Sequence, residues 1–409
     1  MTTPGMTSSQ EADALAAAAE DGDRFDRVIR LAQAIFGAPI AALNLVGEEE
    51  QHTVAAIGAP TGDIPVGQSI CQYTVQQPAI FEVPDLRADP RFAENPIVAG
   101  APRLRFYAGV PLSAPSGHRV GALCILDLVP RELGPVEHEM LADLGAVLER
   151  ELAIEAEMQR AGDVQRRLLP AEPPDVPGLE MAGLVRQARE AGGDFYDWQV
   201  IPANPRGRRQ DDPPVADSHA LVQVTLADVM GKGLPASLLA SEMRAVLRTH
   251  SRYVPLDVAV ARTSETTEAS LTSNGAFVTL WTGRIDPVDG SLSYVDAGHG
   301  LAAIVSERGV RRLAQGHMPL GLPVLEEWRL GMDVIAPDET LVIVSDGVFD
   351  VFDDSLEDAM AALQRTTDRS VAAGESAESM ARTILDYAGT HGAADDLTAV
   401  VVRRTGTTR

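Results

Sequence analysis

From Arg131 to Leu169 the chain contains a single proline, Pro135, and then four within eight residues, Pro170, Pro173, Pro174 and Pro177. Proline inside a helix removes an amide donor and clashes with the preceding turn, so a long stretch free of it that stops at a proline cluster can form one continuous helix. Within it Met140, Leu144, Val147, Glu151, Ile154, Met158, Ala161, Gln165 and Leu168 alternate in steps of three and four, a seven-residue repeat with two polar breaks. An amphipathic helix lying on a globular core reads the same way, but the spacing favours a coiled-coil linker over 135–170 and a parallel homodimer. The helix also divides the chain into a loose tail over 1–22, a first domain over 23–134 and a second over 171–409.

The length of 409 residues accommodates two or three domains with their own cores. Thirty-four basic residues against fifty-nine acidic ones give a net charge of −25, which repels phosphate backbones and anionic membrane surfaces, so neither nucleic acid nor membrane is expected as a partner. Two cysteines, Cys71 and Cys124, are too few for a disulfide framework or a cysteine-rich zinc site, and both read as packing residues. No apolar run approaches the roughly 18 residues of a membrane helix, and the acidic start lacks the basic segment of a secretory signal. A cytoplasmic protein is expected.

Before the linker, a helical pattern at Val28, Leu31, Ile35 and Phe36 precedes β-rich segments at 40–46, 52–57, 79–83, 106–112 and 120–128. After it, strands at 180–187, 195–201, 221–226, 276–285, 292–296, 303–306, 341–344 and 397–403 are interrupted by helices near 235–250, 256–271, 355–366 and 376–388. Clustered strands with helices inserted in pairs predict a layered α+β sandwich instead of a doubly wound sheet. The Pro, Arg and Asp rich stretch 202–218 reads as a solvated hairpin tip.

Four acidic motifs stand at the ends of apolar strands in this second region: Asp194 in Gly192-Gly193-Asp194-Phe195-Tyr196-Asp197, Asp228 in the run 227–233, Asp346 before Gly347, and Asp395 before Asp396. Each alone reads more simply as a turn former. Four together form a donor set of carboxylate oxygens suited to Mg²⁺ or Mn²⁺, and the region offers no Cys or His cluster with zinc spacing. Two such ions sharing a carboxylate would orient and ionise a water for attack on phosphorus, which points to phosphoester hydrolysis.

In order and local sequence, 178–405 resembles the metal-dependent protein serine/threonine phosphatases (PPM) in their SpoIIE-like bacterial branch. The runs that carry the resemblance are 192–197, Asp228 to Ala236, Ala297-Gly298-His299, Pro319-Leu320-Gly321, Asp346-Gly347 and Asp395-Asp396-Leu397-Thr398. The resemblance implies an α-β-β-α sandwich, two Mn²⁺ or Mg²⁺ ions, and a phosphoserine or phosphothreonine protein as substrate. It further implies that Asp228 bridges the ions beside the Val229 carbonyl, with Asp194, Asp346 and Asp395 as the other ligands and catalytic carboxylates. The turn at His299 departs from the pattern by continuing Gly300-Leu301 where relatives have Asn-Pro. His299 reads as a structural residue, Lys232 as part of a glycine-permitted turn into the helix at Pro235, and Arg186 and Arg189 as unassigned cations near the site.

Residues 24–155 resemble a GAF domain through Phe106-Tyr107-Ala108-Gly109-Val110-Pro111-Leu112 and Gly121-Ala122-Leu123-Cys124-Ile125-Leu126-Asp127. Such domains bind varied small molecules, and no residue set here fixes a ligand. The expectation is a GAF-regulated phosphatase acting on an anti-sigma factor antagonist. A catalytically silent phosphatase fold serving as a signalling scaffold is the alternative from another class.

Overall fold

The computed structural model describes residues 7–18, 23–188, 191–201, 220–313, 316–322, 327–337, 339–349, 355–391 and 395–405, and the chain forms two compact units, Met1–Arg160 and Ala161–Arg409. In the first unit α1 (Ser8–Ala18) and α2 (Asp23–Phe36) precede β1 (Ile40–Val46), β2 (Glu50–Ile57) and β3 (Gly62–Pro65). The short helix α3 (Cys71–Thr74), β4 (Phe81–Val83), α4 (Pro96–Ala99), β5 (Phe106–Ser113), β6 (Arg119–Asp127) and the long α5 (Pro135–Leu168) as far as Arg160 complete it, the end of α5 belonging to the second unit. The strands form one antiparallel sheet in the order β3-β2-β1-β6-β5-β4.

Central strand β1 is buried at every position because both faces are covered. Ala41, Leu43 and Leu45 face α1, α2 and α5, whereas Ile40, Ala42 and Val46 face a second core with Cys71, Phe92 and Cys124. Both cysteines are buried, and the Asn44 amide donates to the two sulfurs at 3.4 and 3.1 Å, in keeping with the packing role expected of them.

Two expectations are corrected in this unit. The segment 8–18 is not a loose tail: Ala12 and Leu15 are buried in the core, and Asp13 pairs with His52 at 3.0 Å. An alanine-rich helix carries too little contrast between its faces to announce a buried stripe. Residues 1–6 and 19–22 lie outside the described residues. The 34-residue α5 is a single helix as expected, but Leu141, Leu144, Leu148, Leu152 and Ala156 pack into the first unit's own core. Leu144 therefore cannot serve an interchain seam. Met140, Val147, Ile154 and Leu168, from the other half of the heptad pattern, are 41–47% exposed.

The second unit contains β7 (Leu179–Arg186), β8 (Phe195–Ile201), β9 (Leu221–Val229), α6 (Leu234–Ser251), α7 (Leu256–Asn274), β10 (Val278–Ile285) and β11 (Ser291–Ala297). It continues with β12 (Ala302–Ser306), β13 (Gly309–Arg312), β14 (Gly331–Val334), β15 (Thr340–Val344), α8 (Leu356–Ala372), α9 (Ala377–Thr390) and β16 (Leu397–Arg404). Two antiparallel sheets result, β14-β11-β10-β9-β8 and β13-β12-β15-β16-β7. Alternation along the strands decides what each residue meets. Val222, Val224 and Leu226 of β9 pack with Ile343, Val400 and Val402 of the facing sheet, while Ala227 and Val229 face α6 and α7. On the far side, Val342, Val344 and Val401 meet α9. The four layers are those the sequence implied. The strands it missed, β3, β13 and β14, are four residues each and contain no buried residue, so no core-facing apolar stripe marks them. The expected hairpin tip at 202–218 lies outside the described residues. No described helix is long and apolar enough to cross a membrane.

Candidate metal centre

Asp194 immediately precedes β8, and Asp228 stands next to last in β9, where β8 and β9 pair antiparallel through Phe195 and Ala227. Tyr196, Trp198 and Leu226 point between the sheets, so by the two-residue period Asp194 and Asp228 point there too, at one end of the sandwich. Thr398, which shares this parity with Val400 on β16, donates its hydroxyl to Asp194 Oδ2 from the opposite sheet. Asp346 and Asp395 follow and precede β15 and β16, and their charges act on Asp228. All four expected carboxylates thus gather at one end of the second unit.

Their electrostatics are unfavourable in isolation. Burial, then the charges of Asp346, Asp395 and Asp396, push Asp228 to about 7 even though a hydrogen bond from Asp194 opposes the shift. Asp194 is 1% exposed, and burial with the neighbouring Asp228 raises its pKa well above the ordinary carboxylate range. No three of these four carboxylates bring one oxygen each within 4.8 Å of one another; among the described residues only Glu50, His52 and Asp63 in the first unit meet that spacing. Like charges at a strand end repel, and hard cations between them would offset that repulsion. The donor set fits such ions: carboxylates at several distances, plus the backbone of Val229, whose carbonyl lies where a side chain on Gly193 would meet it at 2.4 Å.

The loop that carries Asp194 is tightly gripped. Asp396 accepts from the amides of Ala188 and Gly193, each at 2.8 Å, and any side chain at Gly192 would meet the same carboxylate at 2.1 Å. The two glycines are required by this close approach. From the other side, Gln165 of α5 hydrogen-bonds Gly192 through both its amide atoms. Asp197, three residues beyond Asp194, faces the opposite way and accepts from Arg248 at 2.7 Å and Arg244 at 3.1 Å, which ties α6 to β8.

Lys232 lies in the turn between β9 and α6, flanked by Gly231 and Gly233 with φ of 109° and 76°, and its ammonium pairs with Asp395 at 3.1 Å. Of the two arginines near the motif, Arg186 points to α9, where it pairs with Asp386 at 2.7 Å, and Arg189 lies outside the described residues. His299 is 7% exposed, and burial holds its pKa down to about 4, so it is neutral at physiological pH. Its turn is shaped by Asp296, which accepts from the amides of His299 and Gly300 at 2.8 and 3.0 Å. Sequence reasoning missed Gln165, Asp396 and Asp296 as organisers of the site. The adjacent acids at 395 and 396 gave no sign of which one would hold the loop; Gln165 carried only the mark of a polar break in an apolar repeat.

Residues 218–405 match the family described as stage II sporulation protein E (SpoIIE), and 22–152 match the GAF domain. Asp228, Asp346 and Asp395 fall within the first match and Asp194 lies upstream of it. The chain is 38% identical over 120 residues to cyclic di-GMP phosphodiesterase PA2567 of Pseudomonas aeruginosa, covering 29% of this chain and 20% of that protein. It is 25% identical over 222 residues to protein IcfG of Synechocystis, covering 47% and 32%. The RsbU and RsbW domains of Rv1364c from Mycobacterium tuberculosis align in structure over 58% of this chain and 64% of that one, at 21% identity and a TM-score of 0.46. The chain therefore spans a third or less of the curated relatives it matches.

Proposed function

Since the chain joins a GAF domain to a SpoIIE-type domain of the PPM phosphatase family, we propose that it is a protein serine/threonine phosphatase whose active site is the carboxylate end of the second unit's sandwich. The observation that carries this reading is the convergence of Asp194, Asp346 and Asp395 on Asp228 from two facing sheets. A fold built only for binding gains nothing from acids that repel one another at buried strand ends. Asp194, Asp228, the Val229 carbonyl, Asp346 and Asp395 would hold the Mn²⁺ or Mg²⁺ ions. Bound there, the ions would supply Lewis-acid chemistry, lowering the pKa of the attacking water and offsetting phosphoryl charge.

The chain's own residues do the rest. Thr398 and the Asp396-capped loop fix the Asp194 carboxylate, and Gly193 lets the Val229 carbonyl approach. Lys232 is the only lysine in the sequence, arginine serving at the other 33 basic positions. Its compact ammonium, at the rim of the carboxylates, is the cation placed to meet a non-bridging oxygen of the substrate phosphate, where a broad guanidinium fork would present a different geometry. The substrate is a phosphoserine or phosphothreonine protein, in the finer reading an anti-sigma factor antagonist, and the GAF domain regulates the reaction through a small molecule. The exposed Met140, Val147 and Ile154 face of α5 joins two chains in a homodimer.

Hydrolysis of p-nitrophenyl phosphate and of a phosphoserine peptide by the full chain in Mn²⁺ tests this. Asp228→Asn or Asp346→Asn is expected to abolish turnover with an unchanged circular dichroism spectrum, and Lys232→Met to raise KM about tenfold or more while kcat falls less. A parent chain that binds Mn²⁺ yet releases phosphate from neither ester would contradict the reading and favour the silent scaffold.

A further inference from the structure

On β2 the two-residue period sends Gln51 into the first unit's interior, where it is 5% exposed and donates to Asn44 at 3.0 Å, and leaves Glu50 and His52 together on the other face. The register of β2 with β3 sets Asp63 directly opposite His52. One ligand atom from each of Glu50, His52 and Asp63 lies within 4.8 Å of the other two. Small side-chain rotations would bring all three to the roughly 2.0–2.2 Å at which Zn²⁺ takes imidazole nitrogen and carboxylate oxygen. Because a paired strand couple carries them, their relative placement is fixed by the ladder and not by a loop.

The His52 ring is held from both sides. Its Nδ1 is 2.8 Å from Asp63 Oδ1, and its Nε2 is 3.0 Å from Oδ1 of Asp13 on α1, a helix that precedes the stretch matching the GAF domain. A histidine ligand gives one ring nitrogen to the metal and the other to a carboxylate that fixes its tautomer and orientation. Asp13 is placed for the second task, and Asp63 with Glu50 for sharing an ion with Nδ1. A plain ion pair would need nothing beyond the imidazolium and the two aspartates, yet the surroundings supply more. These residues line a cavity of about 760 Å³ together with Glu48 and Glu49, so five carboxylates meet a single imidazole, with no lysine or arginine among the described residues that line it. One protonated imidazole offsets one of those five charges, whereas a divalent ion on a neutral imidazole offsets two.

We infer that Glu50, His52 and Asp63 form a separate metal site in the first unit, which takes Zn²⁺ through one imidazole nitrogen and two carboxylates while Asp13 orients the imidazole. An imidazole among the donors suits the borderline Zn²⁺, in contrast to the all-oxygen set around Asp228, which suits Mg²⁺ and Mn²⁺. The ion would fasten α1, through Asp13 and His52, to the β2-β3 edge of the sheet. The inference stands on the first unit alone and does not depend on the phosphatase reading of the second.

The test is calorimetric titration of Zn²⁺ into the full chain bearing Asp228→Asn, which removes the central carboxylate of the other site, with excess Mg²⁺ present to occupy the oxygen ligands that remain there. One Zn²⁺ per chain is expected. Adding Glu50→Gln, His52→Gln or Asp63→Asn should weaken its binding by about tenfold or more, and Asp13→Asn, at the orienting carboxylate, by about 10- to 100-fold. Glu50 and Asp63 are exposed, so their variants are expected to fold as the parent does. Zn²⁺ should raise the melting temperature of the Asp228→Asn chain and leave that of its His52→Gln derivative unchanged. His118→Gln, at an exposed histidine that pairs with Glu11 at 3.0 Å outside the cavity, should leave the affinity unaltered. Folded Glu50→Gln and Asp63→Asn chains with unaltered affinity would overturn the inference, as would a chain that takes up no Zn²⁺ or failure of all three ligand variants to fold. An equal loss in His118→Gln would overturn it too, since it would mark binding spread over the acidic surface.

Discussion

At Asp228, burial and three neighbouring carboxylates act in the same direction and lift its pKa to about 7. A carboxyl whose folded pKa lies above its unfolded value of about 3.8 contributes stability that is complete below the unfolded value and lost as pH rises through 7. In chelator, melting temperature should therefore fall between pH 5 and pH 8, and Asp228→Asn should melt higher than the parent at pH 8. The difference should be on the order of a few kcal/mol, since each pKa unit corresponds to about 1.4 kcal/mol. Mn²⁺ should reverse the order by stabilising the parent and not the variant. A variant that melts below the parent in chelator at pH 8 would show that the charge is not under strain. Asp194, Asp228, Asp346 and Asp395 were legible in the sequence because an acid closing an apolar strand is conspicuous. Asp396 and Gln165 were not, because their roles are hydrogen bonds to the backbone of residues that are remote in sequence and close only in the fold.

Among the elements, α5 best separates what spacing reveals from what it hides. Its length and both ends follow from proline placement, and it is one helix over Pro135–Leu168. Its seam could not be read, because two apolar stripes overlap on it. One, at Leu141, Leu144, Leu148 and Leu152, is consumed by the first unit's core; the other, at Met140, Val147 and Ile154, is exposed. A heptad drawn from Met140 takes all three members of the exposed stripe and only Leu144 of the buried one. The consequence is testable. Val147→Asp with Ile154→Asp should dissociate the proposed dimer while leaving each chain folded, whereas Leu144→Asp should instead lower the melting temperature, because it puts a charge into the first unit's core. Light scattering that finds an unchanged dimer in the double variant would move the interface elsewhere. The α1 helix shows the opposite failure, an element that buries Ala12 and Leu15 although its alanines give no contrast to read.

For the whole molecule, the α+β class and a long helix between two domains were accessible from strand and helix patterning, whereas the α-β-β-α layering came from the family resemblance and the boundary after Arg160 falls inside the expected linker over 135–170. What patterning could not supply is how the carboxylates share the end of the sandwich, since that depends on two sheets whose strands come from 179–404 meeting face to face. With a net charge of −25, the proposed reaction on a phosphorylated protein would depend on local cations, Lys232 and metal, against an unfavourable overall field. The claim that binds these observations together is that two hard cations complete a phosphomonoesterase centre at Asp228. It is tested most directly by following phosphate release from a phosphoserine protein while Mn²⁺ is titrated into the full chain and its binding is measured in the same samples. The account predicts two ions per chain at saturation and release that rises with occupancy of the weaker one; saturable binding with no release, or release indifferent to Mn²⁺ and chelator, would contradict it.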